Sequence, residues 1–213
     1  ATNAKINVDK TDGLWVGNWK HRLDTPRDIK WVNTMVKNLG VFVGNNRQDC
    51  EIRSFEEAKE KIKNKLSYWN GKGISLKGRI RVINTFILPK IWYICEIHNM
   101  PTFIKSEIKL MLSSFIWGVN FHQRSIQGLE ADYNEGGLRL VNIDKRINAI
   151  RVKWLSYLIK SDIRYIEYYL ANEIISDNCS KMGFDLLKGY SLNYINTIKN
   201  KFYKHAISAW KKL

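Results

Sequence analysis

The stretch Ser54-Phe55-Glu56-Glu57-Ala58-Lys59-Glu60-Lys61-Ile62-Lys63-Asn64-Lys65-Leu66-Ser67-Tyr68-Trp69 decides the reading of this chain. Phe55, Ala58, Ile62, Leu66 and Trp69 recur at helical spacing, which aligns them as one apolar stripe. Lys59 and Lys63 flank the stripe on one side, Lys61 and Lys65 on the other, and Glu56, Glu57 and Glu60 lie nearer the opposite face. Ser54 with Glu57 three positions on has the form of a capping box, which satisfies free amides at a helix start and so predicts a helix from Ser54. Gly71-Lys72-Gly73 ends it.

Moving toward the C-terminus, Ser75 opens a second helix with Leu76, Ile80, Ile83, Ile87, Ile91 and Ile94 on its inner face. Pro89 falls within it and is expected to kink it, because proline removes one backbone hydrogen bond. A third helix follows Pro101, turning Ile104, Ile108, Met111, Leu112, Phe115 and Ile116 inward, and Gly118 closes it. A loop with Gly128, Asn134, Gly136 and Gly137 leads to a fourth helix over about Lys145 to Ile159. The repeat of Ile195, Ile198, Phe202, Ala206 and Trp210 predicts a terminal helix.

Upstream the period changes. Gly13 to Gly17, Trp31-Val32, Met35-Val36 and Leu39 to Gly44 are β-branched or aromatic runs bounded by Gly and Asn, and predict short antiparallel strands. The polar run from Asn18 to Lys30, with Pro26, reads as a loop. The expected fold is therefore α+β and mainly α: a small antiparallel set over 1–50, a basic helical bundle over 51–125, and a mostly helical segment over 126–213.

Charge sets the function class. Thirty-five Lys and Arg face twenty Asp and Glu in 213 residues, a formal net charge of +15. Such an excess attracts polyanions, nucleic acid first and acidic membrane surfaces second, the plain alternative being charge that only keeps a helical protein soluble. The density peaks from Lys59 to Lys90, with Lys59, Lys61, Lys63, Lys65, Lys72, Lys77, Arg79, Arg81 and Lys90 against the single acid Glu60. Phosphate contacts of this kind supply most nonspecific affinity. The opposing reading is that the lysines lay their stems along a helix rim. Interleaved aromatics, Trp69, Trp92, Tyr93, Phe115 and Trp117, are able to stack bases, although at this spacing core packing is the commoner use.

No catalytic or metal signature stands out. Cys50, Cys95 and Cys179 form no paired motif, which suits reduced thiols in an intracellular compartment, nucleus or cytoplasm. His21, His98, His122 and His205 have no helical partner, and Asp9, Asp12, Asp24 and Asp28 are scattered. No apolar run approaches the ~18–20 residues that span a bilayer, so no membrane partner is expected. The first residue is Ala1 rather than Met, and the sequence reads as one cut from something longer.

Several stretches taken in order carry a resemblance: Ala4 to Thr11; Val36-Lys37-Asn38-Leu39-Gly40-Val41-Phe42-Val43-Gly44; Trp69-Asn70-Gly71-Lys72-Gly73-Ile74-Ser75-Leu76-Lys77-Gly78-Arg79-Ile80 with Phe86 to Tyr93; Phe115-Ile116-Trp117-Gly118; and Gly136-Gly137-Leu138-Arg139-Leu140. Together, from about Ala4 to Ile159, they resemble the reverse transcriptases of LINE-type (non-LTR) retrotransposons just after the catalytic palm. The resemblance implies that 1–50 ends a palm, with Leu39 and Gly40 in the primer grip that positions the primer 3′ end. It implies that Phe55 to Trp117 is the thumb, whose lysines hold an RNA template paired with a DNA primer. Lys10 matches a family lysine and is expected, by analogy with polymerases, near the leaving pyrophosphate as an accessory acid.

The same resemblance places the catalytic aspartates, the fingers and the nucleotide-binding elements upstream of Ala1, so this chain alone is not expected to polymerise. It implies no cofactor for these residues, with Mg²⁺ belonging to the intact RNA-directed DNA polymerase. The family's Cys/His cluster is absent, and Tyr165 to Leu213 matches nothing in it. The competing expectations are an orphan or decayed nucleic-acid-binding module and a structural helical protein.

Overall fold

The computed structural model describes residues 7–118, 126–160, 166–176, 184, 187 and 192–212; Ala4 to Ile6, His122, Tyr165 and Cys179, singled out above, lie outside them. The chain is mainly helical with two small sheets, and it divides into two compact units, Ala1–Lys72 with Met100–Leu112 and Gly73–Asn99 with Ser113–Leu213.

In the first unit, strands β1 (Asp12–Leu14) and β2 (Lys30–Val32) pair in parallel, Asp12 opposite Lys30 and Leu14 opposite Val32. An antiparallel pair was expected. The polar connection containing Pro26 is long enough to carry the chain back and start β2 in the same direction, which a tight turn cannot do. The Trp15 and Trp31 rings stack at 4.1 Å beside the pair, and Trp31 Nε1 donates to the Pro26 carbonyl at 3.1 Å. Strands β3 (Met35–Asn38) and β4 (Val41–Gly44) form the expected antiparallel hairpin. Its turn is the two residues Leu39 and Gly40, both at positive φ, 49° and 86°. That is the turn whose twist matches a hairpin, and it normally takes Asn-Gly. Asn45 ties the two sheets, its amide donating to the carbonyls of Trp15 at 2.7 Å and Asn33 at 2.8 Å.

Helix α1 spans Arg47–Asn70, so its start precedes the predicted one. Asn46 is the cap, its Oδ1 accepting from the Gln48 and Asp49 amides at 3.0 and 3.4 Å. Ser54 lies inside the helix, buried, and its Oγ accepts from the Phe42 amide of β4 at 2.9 Å. Glu57 turns outward to Lys37 and Lys61 instead of folding back on a cap. The stripe of Phe55, Ala58, Ile62 and Leu66 is buried, together with Cys50, Val41, Ile104 and Ile108 of the same unit.

In the second unit, α2 (Leu76–Val82) starts where predicted, with Ser75 Oγ accepting from the Gly78 amide at 3.3 Å. A π-helical turn over Ile83–Ile87 follows, its wide bond running from the Leu88 amide to the Ile83 carbonyl at 2.9 Å, and α3 spans Pro89–Ile97. The predicted disturbance at Pro89 thus takes the form of a wide turn just before it, which places the proline at a first helical position where its missing N–H costs least. Ile80, Ile83, Ile87, Ile91 and Ile94 are buried as expected; Leu76 is exposed. Helix α4 spans Thr102–Trp117, with Phe115 and Ile116 buried in this unit. Helices α5 (Ile143–Lys160), α6 (Ile166–Ser176) and α7 (Lys201–Trp210) follow, with α5 packed along α7. Leu155, Ile175, Ile195, Ile198, Ala206 and Ile207 form one buried cluster. The predicted terminal helix is split: Leu192–Thr197 is a 3₁₀ turn, and Asn200 caps α7 by accepting from the Phe202 amide at 3.0 Å.

Candidate nucleic-acid interface

The nine basic positions singled out from Lys59 to Lys90 fall in both units, Lys59, Lys61, Lys63, Lys65 and Lys72 in the first and Lys77, Arg79, Arg81 and Lys90 in the second. Their environments differ. Lys59 bridges Glu56 at 2.7 Å and Glu107 at 2.5 Å, and these hydrogen bonds, Glu107's first, raise its pKa. Lys61 pairs with Glu57 at 2.7 Å, and Lys37 of β3 reaches the same carboxylate at 2.6 Å. Held by Lys37 and Lys61, Glu57 is lowered to about 2. The acids that neutralise Lys59 and Lys61 come from the middle of α1, just ahead of the basic window, and from α4.

Lys63 and Lys65 are exposed on α1 with no carboxylate in ion-pair reach among the described residues. Lys72 is exposed past the end of α1, its ammonium 4.9 Å from the ring centroid of Tyr68, itself exposed. On the helix, Lys61, Lys65 and Tyr68 follow one another along a single face.

In the second unit Arg81 and Lys90 are exposed and free of ion pairs among the described residues. Arg79 is committed. Its Nη1 donates to the carbonyls of Phe115 at 2.6 Å and Ile116 at 3.3 Å, and its Nε to Ile74 at 3.2 Å. It closes the C-terminal end of α4, where carbonyls lack partners and positive charge is favoured. Lys77 places its ammonium 5.1 Å from the centroid of the Tyr133 ring, which Arg139 also approaches at 4.9 Å.

Leu39 and Gly40 form the tip of the β3–β4 hairpin. Leu39 is 81% exposed despite its apolar side chain and its left-handed backbone. Lys37 and Arg53 both stand over the Phe42 ring behind that tip, at 5.6 and 5.7 Å. Lys10 ends an exposed 3₁₀ turn, Val8–Lys10. Asp24 is tied to Arg22 at 2.6 Å. Among the described residues no three His, Cys, Asp or Glu side chains come together to hold a metal ion. No helix among them is long and apolar enough to cross a membrane.

Of the aromatics singled out, Phe115 is in the core, Trp69, Trp92 and Trp117 are half-buried, and Tyr93 is exposed. Tyr68 and Tyr133, two exposed rings that carry lysines, were missed. Tyr68 lies within the quoted stretch, four residues before Lys72. The pairing of Tyr133 with Lys77 is a tertiary contact with no local signal.

No family model matches this sequence. The chain is 30% identical over 168 residues to a transposon-encoded protein of Xenopus laevis, described as the transposon TX1 uncharacterized 149 kDa protein. The similarity covers 76% of this chain and 12% of that relative, so the chain spans a small part of a much larger transposon protein to which it is similar.

Proposed function

We propose that this chain is the primer-grip and thumb segment of a retrotransposon RNA-directed DNA polymerase and holds the template–primer duplex. The observation that carries the reading is the Leu39-Gly40 tip, which presents an apolar side chain to solvent from a left-handed backbone beside a lysine-bearing helix. Non-glycine residues held in that region cluster at functional sites, and the usual residue of such a turn would carry the strain at less cost than leucine. The similarity to a transposon-encoded protein supports the same reading, as does the order of the family-like stretches. The division of labour follows from the side chains. Lys63, Lys65, Arg81 and Lys90 neutralise phosphates, Leu39 and Gly40 support the primer end, and Arg79 keeps α4 in shape. An RNA–DNA hybrid is read by its shape and backbone, which suits ammonium groups without a base-reading motif. Lys10 is the candidate accessory acid of the intact polymerase, and the Mg²⁺-binding carboxylates belong to its palm.

Fluorescence anisotropy with a labelled RNA–DNA hybrid, titrated with salt, tests this. Log affinity is expected to fall linearly with log salt, by ~0.9 per phosphate neutralised on a duplex. Reversing Lys63, Lys65, Arg81 and Lys90 to Glu abolishes that binding while the circular dichroism spectrum is kept. A wild-type affinity independent of salt overturns the proposal and leaves a structural helical protein.

A further inference from the structure

The segment from Leu129 to Val141, ahead of α5, holds one ring outward. Asp132 accepts from the Tyr133 amide at 2.6 Å and takes the Arg139 guanidinium at two points, 2.7 and 2.9 Å. Gly137 packs so closely that a Cβ would lie 2.0 Å from the Ala131 carbonyl oxygen. The amides of Leu138 and Leu140 both donate to Leu129, at 3.0 and 2.9 Å. Asn84 clamps the loop to the helical turn behind it, donating to the Arg139 carbonyl at 2.8 Å and accepting from the Val141 amide at 3.0 Å. On this frame Tyr133 stays 46% exposed. Every element in this description lies in the second unit.

The two cations near the ring are not equivalent. Arg139 is compensated by Asp132 and fixed by it. Lys77 has no carboxylate among the described residues within ion-pair reach, and its ammonium rests 5.1 Å from the ring centroid. A lysine there is exchangeable: a phosphate competes for the ammonium and leaves the ring open. A paired duplex offers few base faces to such a ring, whereas an unpaired nucleotide offers a π-face and a flanking phosphate together.

We propose that Tyr133 and Lys77 form a binding site for a single unpaired nucleotide, the base stacking on Tyr133 and its phosphate meeting Lys77, with Arg139 and Asp132 as positioning residues. The site rests on the nucleic-acid reading above and adds a single-strand contact to it.

The test is photocrosslinking of the wild-type chain to an oligouridine carrying 5-iodouracil, with the adduct mapped by mass spectrometry, beside binding measurements on three variants. The expected adduct is on Tyr133. Tyr133→Ala is expected to lose at least about fivefold in oligouridine affinity, the low end for one stacked base, and Tyr133→Phe to keep it. Lys77→Gln is expected to lower the salt slope by about one. An adduct elsewhere, with Tyr133→Ala binding like wild type at a salt-dependent affinity, overturns this site and spares the duplex-holding function. No salt-dependent affinity of the wild type for oligouridine or hybrid overturns both. If Tyr133→Ala does not fold, the position of the wild-type adduct decides.

Discussion

The guanidinium of Arg151, wholly buried on α5, sits 4.0 Å from the centroid of the Phe202 ring on α7. Its nitrogens donate to the Cys95 carbonyl, to the His98 carbonyl at 2.6 Å and to Asn99 Oδ1 at 3.1 Å. One side chain thus stacks on α7 and closes the end of α3. Replacing Arg151 with Ala strips that end of its donors in a site water does not reach. With buried neutral acceptors left unpaired at about 1–3 kcal/mol each, the expected loss is at least about 3 kcal/mol of stability, and Lys recovers only part because an ammonium does not present a planar fork. Thermal melting followed by circular dichroism checks both variants.

Ser54 and Asn46 separate two accounts of how α1 begins. Ser54→Ala leaves the Phe42 amide without its acceptor and is expected to cost about 1–3 kcal/mol. Asn46→Ala removes the cap and is expected to cost about 0.5–2 kcal/mol. Urea unfolding of each variant measures the difference. In amide exchange, Ser54→Ala exposes Phe42 while Gln48 and Asp49 stay protected, and the pattern reverses for Asn46→Ala.

Glu57 links acid stability to the hairpin. Its folded pKa is lowered from 4.5 to about 2 by Lys37 and Lys61. The lowered value means its contribution is present above the unfolded pKa and is lost as pH falls from about 4.5 through about 2. Wild type is expected to lose stability across that window, and Glu57→Gln to show a shallower loss there. High salt narrows the gap between them, because both partners meet solvent. Equilibrium unfolding at several acidic pH values provides the check.

Leu39 holds a backbone conformation that costs a non-glycine residue roughly 1 kcal/mol. Leu39→Asn, the usual residue for that turn, is expected to raise stability by up to about 1 kcal/mol. If the proposed primer-grip role holds, the same change weakens extension from a primer end by a polymerase that carries this segment. A variant that is more stable and equally active would show that the exposed leucine has no part in holding the primer.

Arg79 and its basic neighbours should respond differently to loss of charge. Arg79→Gln frees two α4 carbonyls and is expected to lower the melting temperature while leaving the salt slope of hybrid binding nearly unchanged. Lys65→Gln is expected to do the opposite. Paired melting and salt titration of the two variants distinguish a helix-closing arginine from a phosphate-binding lysine.

Features written in a few consecutive residues were legible. Ser75 capped α2, Pro101 preceded α4, Gly71 ended α1, and the isoleucine stripe of α2 and α3 was buried where its spacing put it. The errors came from partners distant in sequence. Ser54-x-x-Glu57 has the local form of a cap, but Phe42 claims the serine and Lys37 the glutamate. The window from Lys59 to Lys90 looked almost free of acid because Glu107, which pairs with Lys59, lies on another helix. Arg79 looked like one more cation until α4 supplied the carbonyls it holds. The parallel sense of β1 and β2 is not encoded in composition, since the same residues suit either direction.

The carboxyl end of α3 waits for a residue 56 positions later in the chain, and the Asn84 clamp waits 57 positions for the Val141 amide. During synthesis at about 5–20 residues per second, that is an interval of roughly three to eleven seconds in which α3 has left the ribosome with its last carbonyls still facing water. A chain stopped before Arg151 would leave the Cys95 and His98 carbonyls without these donors, and would be a ready client for a chaperone.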